Sequence, residues 1–181
     1  MLANSALIVI DLQQGIVSRP HAPYTGEQVV TNAQKLVDAC REHHIPVILV
    51  HVKPSPQTAL HPDADVTNPH TQQSPDFADL VLKQSFEDII ITKHQWGAFY
   101  GTDLELQLRR RKITTLLICG ISTNIGVEST ARFAYEFGFS QVFIEDAMTA
   151  ASKEEHESAI KIFKRMGHVR STGELLKQIA K

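Results

Sequence analysis

The 181 residues predict an α/β fold: one three-layer α/β/α sandwich around a central parallel sheet, spanning residues 1–181 as a single domain. Three observations carry this. Short, unbroken apolar runs read as strands buried on both faces, the habit of parallel sheets. Stretches with helical periodicity separate those runs, so right-handed crossovers can stack helices on both sides. The length and the 43% hydrophobic fraction suit one ordinary core, with no repeat, low-complexity tract or second composition regime.

The first strand is Ala6-Leu7-Ile8-Val9-Ile10, ending at Asp11. A helix follows from about Glu27 to His43, with Val29, Val30, Ala33, Leu36, Val37 and Cys40 on one stripe. Pro46 closes it, and Val47-Ile48-Leu49-Val50 is the second strand. From Lys53 to about Pro75 the chain is polar, proline-rich and aperiodic, which predicts a long loop of the kind that covers sites. Ile89-Ile90-Ile91 makes the third strand, ending at Lys93. Thr102 with Glu105 predicts a capping box that opens a helix to about Arg111.

Leu116-Leu117-Ile118-Cys119 is the fourth strand, Gly120 to Asn124 a tight connection, and a helix from about Ile125 stops at Gly138. Gln141-Val142-Phe143-Ile144 is the fifth strand. Ser152 with Glu155 caps the next helix, which ends near Gly167. A short Val169-Arg170 strand and a last helix, capped by Ser171 with Glu174, complete the chain.

Bulk properties exclude several functions. A net charge of −2 gives no electrostatic reason to bind nucleic acid or an anionic membrane. The basic run Arg109-Arg110-Arg111-Lys112 closes a helix, where cations complement the dipole. No stretch approaches the roughly 20 apolar residues of a membrane span, and no secretory leader is visible. Two cysteines in apolar surroundings, Cys40 and Cys119, read as free thiols of a reducing compartment, so a cytoplasmic protein is expected. His51, His61, His70 and His94 form no zinc pattern, and neither a phosphate loop nor a GxSxG elbow is present. No metal and no cofactor are expected.

In a parallel sheet, ligands sit off the carboxyl ends of the strands. Asp11, Lys93 and the Gly120–Gly126 turn all fall at such ends, so they are expected to converge on one pocket. A lysine beside Asp11 would favour the ionised carboxylate by about 1–3 pKa units. Gly126 falls in the first turn of its helix, where unpaired N–H groups face outward; close ligand approach and tight packing both explain a glycine there. Trp96, Phe99, Tyr100 and Asn124 are candidate pocket residues, and core or dimer packing explains the aromatics equally well.

Three segments together resemble the isochorismatase-like hydrolase superfamily: Ala6 to Gln13, Thr92 to Phe99, and Cys119 to Arg132. Their order and spacing match over nearly the whole chain. The resemblance implies a small-molecule substrate and a homo-oligomer, a dimer or higher. In the cysteine-hydrolase branch the catalytic set is Asp, Lys and Cys. The first two match Asp11 and Lys93, while the nucleophile position is Gly126 here. Cys119 lies inside a strand and matches a structural position. The resemblance also implies a cis peptide between Ile121 and Ser122, aiming backbone N–H groups at a developing negative charge as an oxyanion hole.

Glycine in place of cysteine is a feature of the isochorismatases proper, which cleave a vinyl ether with no covalent intermediate. By that analogy a protonated Asp11 donates to the methylene carbon, and Lys93 orients Asp11 or binds a substrate carboxylate. The acid role needs the Asp11 pKa raised, whereas Lys93 lowers it, so burial must dominate. The turn departs from the isochorismatases proper, which read Gly-Val-Tyr-Ala-His where Gly120-Ile121-Ser122-Thr123-Asn124 stands here. The nicotinamidase Asp-x-His metal element is replaced by His51-Val52-Lys53. Two other readings stay open: a binding protein that lost its nucleophile, and an amidase of the nicotinamidase or carbamoyl-amidase type.

Overall fold

A computed structural model describes residues 2–53, 65 and 74–181. The remainder of the long loop after Lys53, with His61 and His70, lies outside the described residues. Six parallel strands form one sheet in the order β3-β2-β1-β4-β5-β6. They are β1 (Ser5–Ile10), β2 (Val47–Val52), β3 (Ile89–Lys93), β4 (Thr115–Ile121), β5 (Ser140–Thr149) and β6 (His168–Arg170). The order reverses between β1 and β4. Chains leaving those two strands turn to opposite sides of the sheet, and a crevice opens between them at the carboxyl end.

The helices divide between the two faces. α2 (Gly26–Glu42) and α6 (Thr172–Ile179) cover one, burying Val29, Ala33, Leu36, Leu175 and Ile179 against Leu7, Val9, Leu49 and Leu117. α3 (Leu104–Arg110), α4 (Glu128–Glu136) and α5 (Lys153–Met166) cover the other, against Ala6, Ile8, Ile10, Ile48 and Ile118. Every residue of β1 is buried, as the unbroken apolar run requires of a central strand. A short α1 (Gln14–Val17) follows the Asp11 turn. Among the described residues no helix is long and apolar enough to cross a membrane.

Local signals act largely as their chemistry dictates. Thr25 and Gln28 form a full capping box at α2, and Ser171 with Glu174 forms one at α6. Ser152 accepts the Glu155 N–H at the start of α5. Gly138 adopts φ +79 after α4.

Three expectations are corrected. The Thr102–Glu105 box does not form: the Thr102 hydroxyl donates to the Ala98 carbonyl and accepts the Leu104 N–H, and α3 starts at Leu104 without a side-chain cap. β5 runs on to Thr149, because after a register shift Met148 and Thr149 pair with Gly120 and Ile121. The α4 segment opens with a π-helical turn, Thr123–Val127, before regular helix begins.

Gly120 shows how tightly β1 and β4 meet beneath the site. Its φ is +128, and a Cβ there would lie 2.1 Å from the Ile10 carbonyl oxygen and 2.6 Å from its nitrogen. Both backbone and space therefore demand glycine. Gly138 also has positive φ, but nothing lies within 4 Å of its Cβ direction. Gly120→Ala is expected to cost about 3 kcal/mol or more in urea unfolding, and Gly138→Ala about 1–2 kcal/mol. Equal costs would mean that the close approach at Ile10 is not a constraint.

Candidate active site

β1 ends by turning sharply. Asp11 adopts φ +55, a left-handed conformation that aspartate tolerates better than most residues. Its N–H still donates to the Val50 carbonyl, and its own carbonyl accepts the Gln13 N–H. The side chain is thereby directed off the sheet end while the backbone stays tied to β2. Gln13, fully buried, reinforces the turn: its amide donates to the Val52 and Phe77 carbonyls and accepts the Val52 N–H.

Lys93 is the last residue of β3 and only 2% exposed. Its Nζ lies 2.8 Å from Asp11 Oδ2, 3.1 Å from the Gln95 carbonyl oxygen and 2.9 Å from that of Trp96. An ammonium has three N–H bonds, and three acceptors meet it. Asp11 is 4% exposed, and its Oδ1 is buried with no hydrogen-bond partner among the described residues. Burial raises the Asp11 pKa to about 6, against the lowering by the Lys93 charge, the hydrogen bond from Lys93 and the weaker field of His51.

Gly126 closes the third side. A Cβ at this position would stand 3.0 Å from Asp11 Oδ2, 3.2 Å from Ile10 Cγ2 and 3.6 Å from the Trp96 carbonyl oxygen. Asp11, Lys93 and Gly126 are thus brought together. The Ile121–Ser122 peptide is cis, and the Ser122 carbonyl accepts the N–H groups of Ile125 and Val127. Asn124 is partly buried in the same turn, and its Oδ1 meets no donor among the described residues.

The aromatic residues separate. Phe99 turns its ring inward: it is 7% exposed, 5.3 Å from the ring of Phe137 and 6.1 Å from that of the buried Phe139. Trp96 and Tyr100 are 62% and 61% exposed, so only the Trp96 backbone reaches the Asp11–Lys93 pair. Burial pushes the Cys119 thiol far above its ordinary range, on the opposite face of the sheet from Gly126. It cannot serve as a nucleophile there. Among the described residues no cluster of three or more His, Cys, Asp or Glu could hold a metal ion.

Sequence reasoning missed the residues that hold these groups in place. Gln13 is one. Thr130 is another: it lies on the buried stripe of α4, donates to the Gly126 carbonyl and accepts the Ala98 N–H. Thr123 and His156 make a third, a buried contact of 2.9 Å between Oγ1 and Nδ1 that joins the turn to α5. For Thr130 and His156 the signal was a polar residue on an otherwise apolar helix stripe.

Comparison with known proteins identifies the family. The family model described as Isochorismatase domain matches residues 5–174. Isochorismatase family protein YwoC of Bacillus subtilis (strain 168) is 46% identical over 97% of this chain and 94% of its own length. Enterobactin synthase component B of Escherichia coli (strain K12) is 30% identical over 96% of this chain and 62% of its own length. The solved structure of an isochorismatase family protein from Burkholderia thailandensis has a TM-score of 0.94 at 40% identity, covering 98% of this chain and 96% of that one. This chain belongs to the isochorismatase family and is a hydrolase.

Proposed function

We propose that the chain hydrolyses a small carboxylated molecule by general-acid catalysis from Asp11, without a covalent cysteine intermediate, and that vinyl-ether cleavage of the isochorismate type is its reaction. The observation that carries this reading is the state of Asp11. Its carboxyl is buried, its pKa is raised to about 6, one oxygen is engaged by Lys93 and the other has no partner among the described residues. A carboxyl in that state can hold a proton near neutral pH and release it to a reacting atom. The missing side chain at Gly126 lets the turn lie close against this carboxyl, where a Cβ would stand 3.0 Å from Oδ2.

The step balances simply. Asp11 gives its proton to the terminal methylene carbon of the enol ether, and the ether oxygen shares the resulting positive charge as an oxocarbenium ion. Water adds to the cationic carbon and loses a proton, which restores Asp11. The hemiketal then collapses, breaking the carbon–oxygen bond, to give pyruvate and the dihydrodiol alcohol. Lys93 holds Asp11 and does not bind substrate, because its three N–H bonds already meet three acceptors.

The direct test is pyruvate release from isochorismate by the purified chain beside Asp11→Asn. The variant is expected to lose about 10²–10⁴-fold in kcat/KM, the usual share of a general acid. Inert wild type would turn the reading toward a binding protein. Because the protonated form is the active one, kcat/KM should be flat below pH 6 and fall about tenfold per unit above it. A profile that rises through this range would require an ionised Asp11.

Two further variants probe the geometry. Gly126→Ala places a Cβ 3.0 Å from Asp11 Oδ2, so the carboxyl must shift by a few tenths of an ångström. Turnover is expected to fall about 10–100-fold, for a stability cost of only about 1–2 kcal/mol. Full activity in this variant would show that the close approach at Gly126 does not set the position of the carboxyl.

Lys93→Met removes the counter-charge, so the Asp11 pKa climbs above the wild-type value. The variant then binds a proton in the native state that the wild type has already lost, and its relative stability falls as pH rises. The cost should be about 3–5 kcal/mol at pH 8 and smaller at pH 5. Urea unfolding at the two pH values checks this, and a pH-independent cost would contradict the ion pair.

A further inference from the structure

We infer that Thr130 is a positioning residue of this site: its buried hydroxyl ties the segment that grips Lys93 to the turn that carries Gly126. This rests on the reading of Asp11 as the acid. A threonine inside a helix often donates to the carbonyl four residues earlier, and such a bond is local by itself. Thr130 does this, donating to the Gly126 carbonyl at 2.7 Å. The Thr130 hydroxyl oxygen also accepts the Ala98 N–H at 3.1 Å, from 32 residues away in sequence. Thr130 and Ala98 are both fully buried, so neither bond can be exchanged for water.

The two bonds close a ring around the reacting space. Asp11 meets Lys93, and Lys93 meets the carbonyls of Gln95 and Trp96. Two residues beyond Trp96, the Ala98 N–H meets Thr130, which returns through its bond to the Gly126 carbonyl to the glycine whose Cβ, were one present, would lie 3.0 Å from Asp11 Oδ2. The segment between Lys93 and Ala98 forms no strand or helix of its own. Its two carbonyls stay aimed at the ammonium because its far end is pinned to α4. Where a valine replaces Thr130, the Ala98 N–H and the Gly126 carbonyl lose that partner. The carbonyls then swing off Lys93, its ammonium is no longer fixed against Asp11 and follows them, and the carboxylate loses part of its counter-charge.

The test is a carbon-13 NMR titration of the Asp11 carboxyl in the full chain, assigned with Asp11→Asn, for wild type, T130V and T130S. The expected result is a midpoint about one pH unit or more higher in T130V, with T130S, which keeps the hydroxyl, returning to the wild-type value. If T130V does not fold, T130A carries the same comparison. A lowered Tm with an unmoved midpoint would overturn the inference, since a purely structural hydroxyl behaves that way. An equal shift in T130S would overturn it as well, because bulk rather than the hydroxyl would be responsible. No turnover enters this measurement, so a chain that releases no pyruvate speaks against the proposed reaction and leaves the Thr130 result to stand or fall alone.

Discussion

Two opposite charges are held together at the end of a parallel sheet, where water hardly reaches them. Burying a carboxylate and an ammonium is costly, and the loss is made good only by tight geometry and by satisfying the remaining donors. The structure supplies both around Lys93, whose ammonium meets Asp11 and two backbone carbonyls. On the Asp11 side the described residues supply one partner, and none of them meets the second oxygen. That asymmetry makes the pair more than a structural bridge. A fully satisfied carboxylate would stay ionised, whereas a desolvated one with a free oxygen is poised to take up and pass on a proton.

The sheet topology makes the arrangement possible. The reversal of strand order between β1 and β4 opens the crevice above them. Asp11 leaves β1 and the Gly126 turn leaves β4, on its two sides, while Lys93 reaches in from β3, two strands away from β1. Close approach is needed at two levels. Below, Gly120 lets β4 lie against Ile10; above, Gly126 lets the turn lie against Asp11. At Gly120 the backbone conformation and the neighbouring strand both demand glycine. At Gly126 the constraint is the carboxyl itself, which links that glycine to chemistry.

Much of this was legible in the sequence. Apolar runs with no alternation mark buried parallel strands, and a charged residue closing such a run marks a strand end; that logic placed Asp11 and Lys93 on one side of the sheet. The glycine after the fourth strand stood out as a poor helix former at a helix start. What stayed hidden depends on contacts between distant segments. Thr102 looked like a helix cap until its hydroxyl turned to Ala98. The polar pair Glu145-Asp146 masked the continuation of β5, which only its register with β4 reveals. Phe99 is aromatic beside the site, yet its ring faces the core, because local sequence does not say which way a short irregular segment points. The contest between burial and Lys93 over the Asp11 proton was visible as a tension. Its outcome depends on burial depth, which exists only once the chain has folded.

The claim at the centre is that Asp11 carries a proton at mildly acid pH inside the folded chain. Infrared difference spectra of wild type and Asp11→Asn between pH 5 and pH 8 test it most directly. The account predicts a protonated-carboxyl band in the wild type at pH 5 that disappears across a midpoint near 6 and is missing from the variant. Spectra in which Asp11 remains ionised down to its ordinary range near pH 4 would contradict it, and with it the role of Asp11 as the acid.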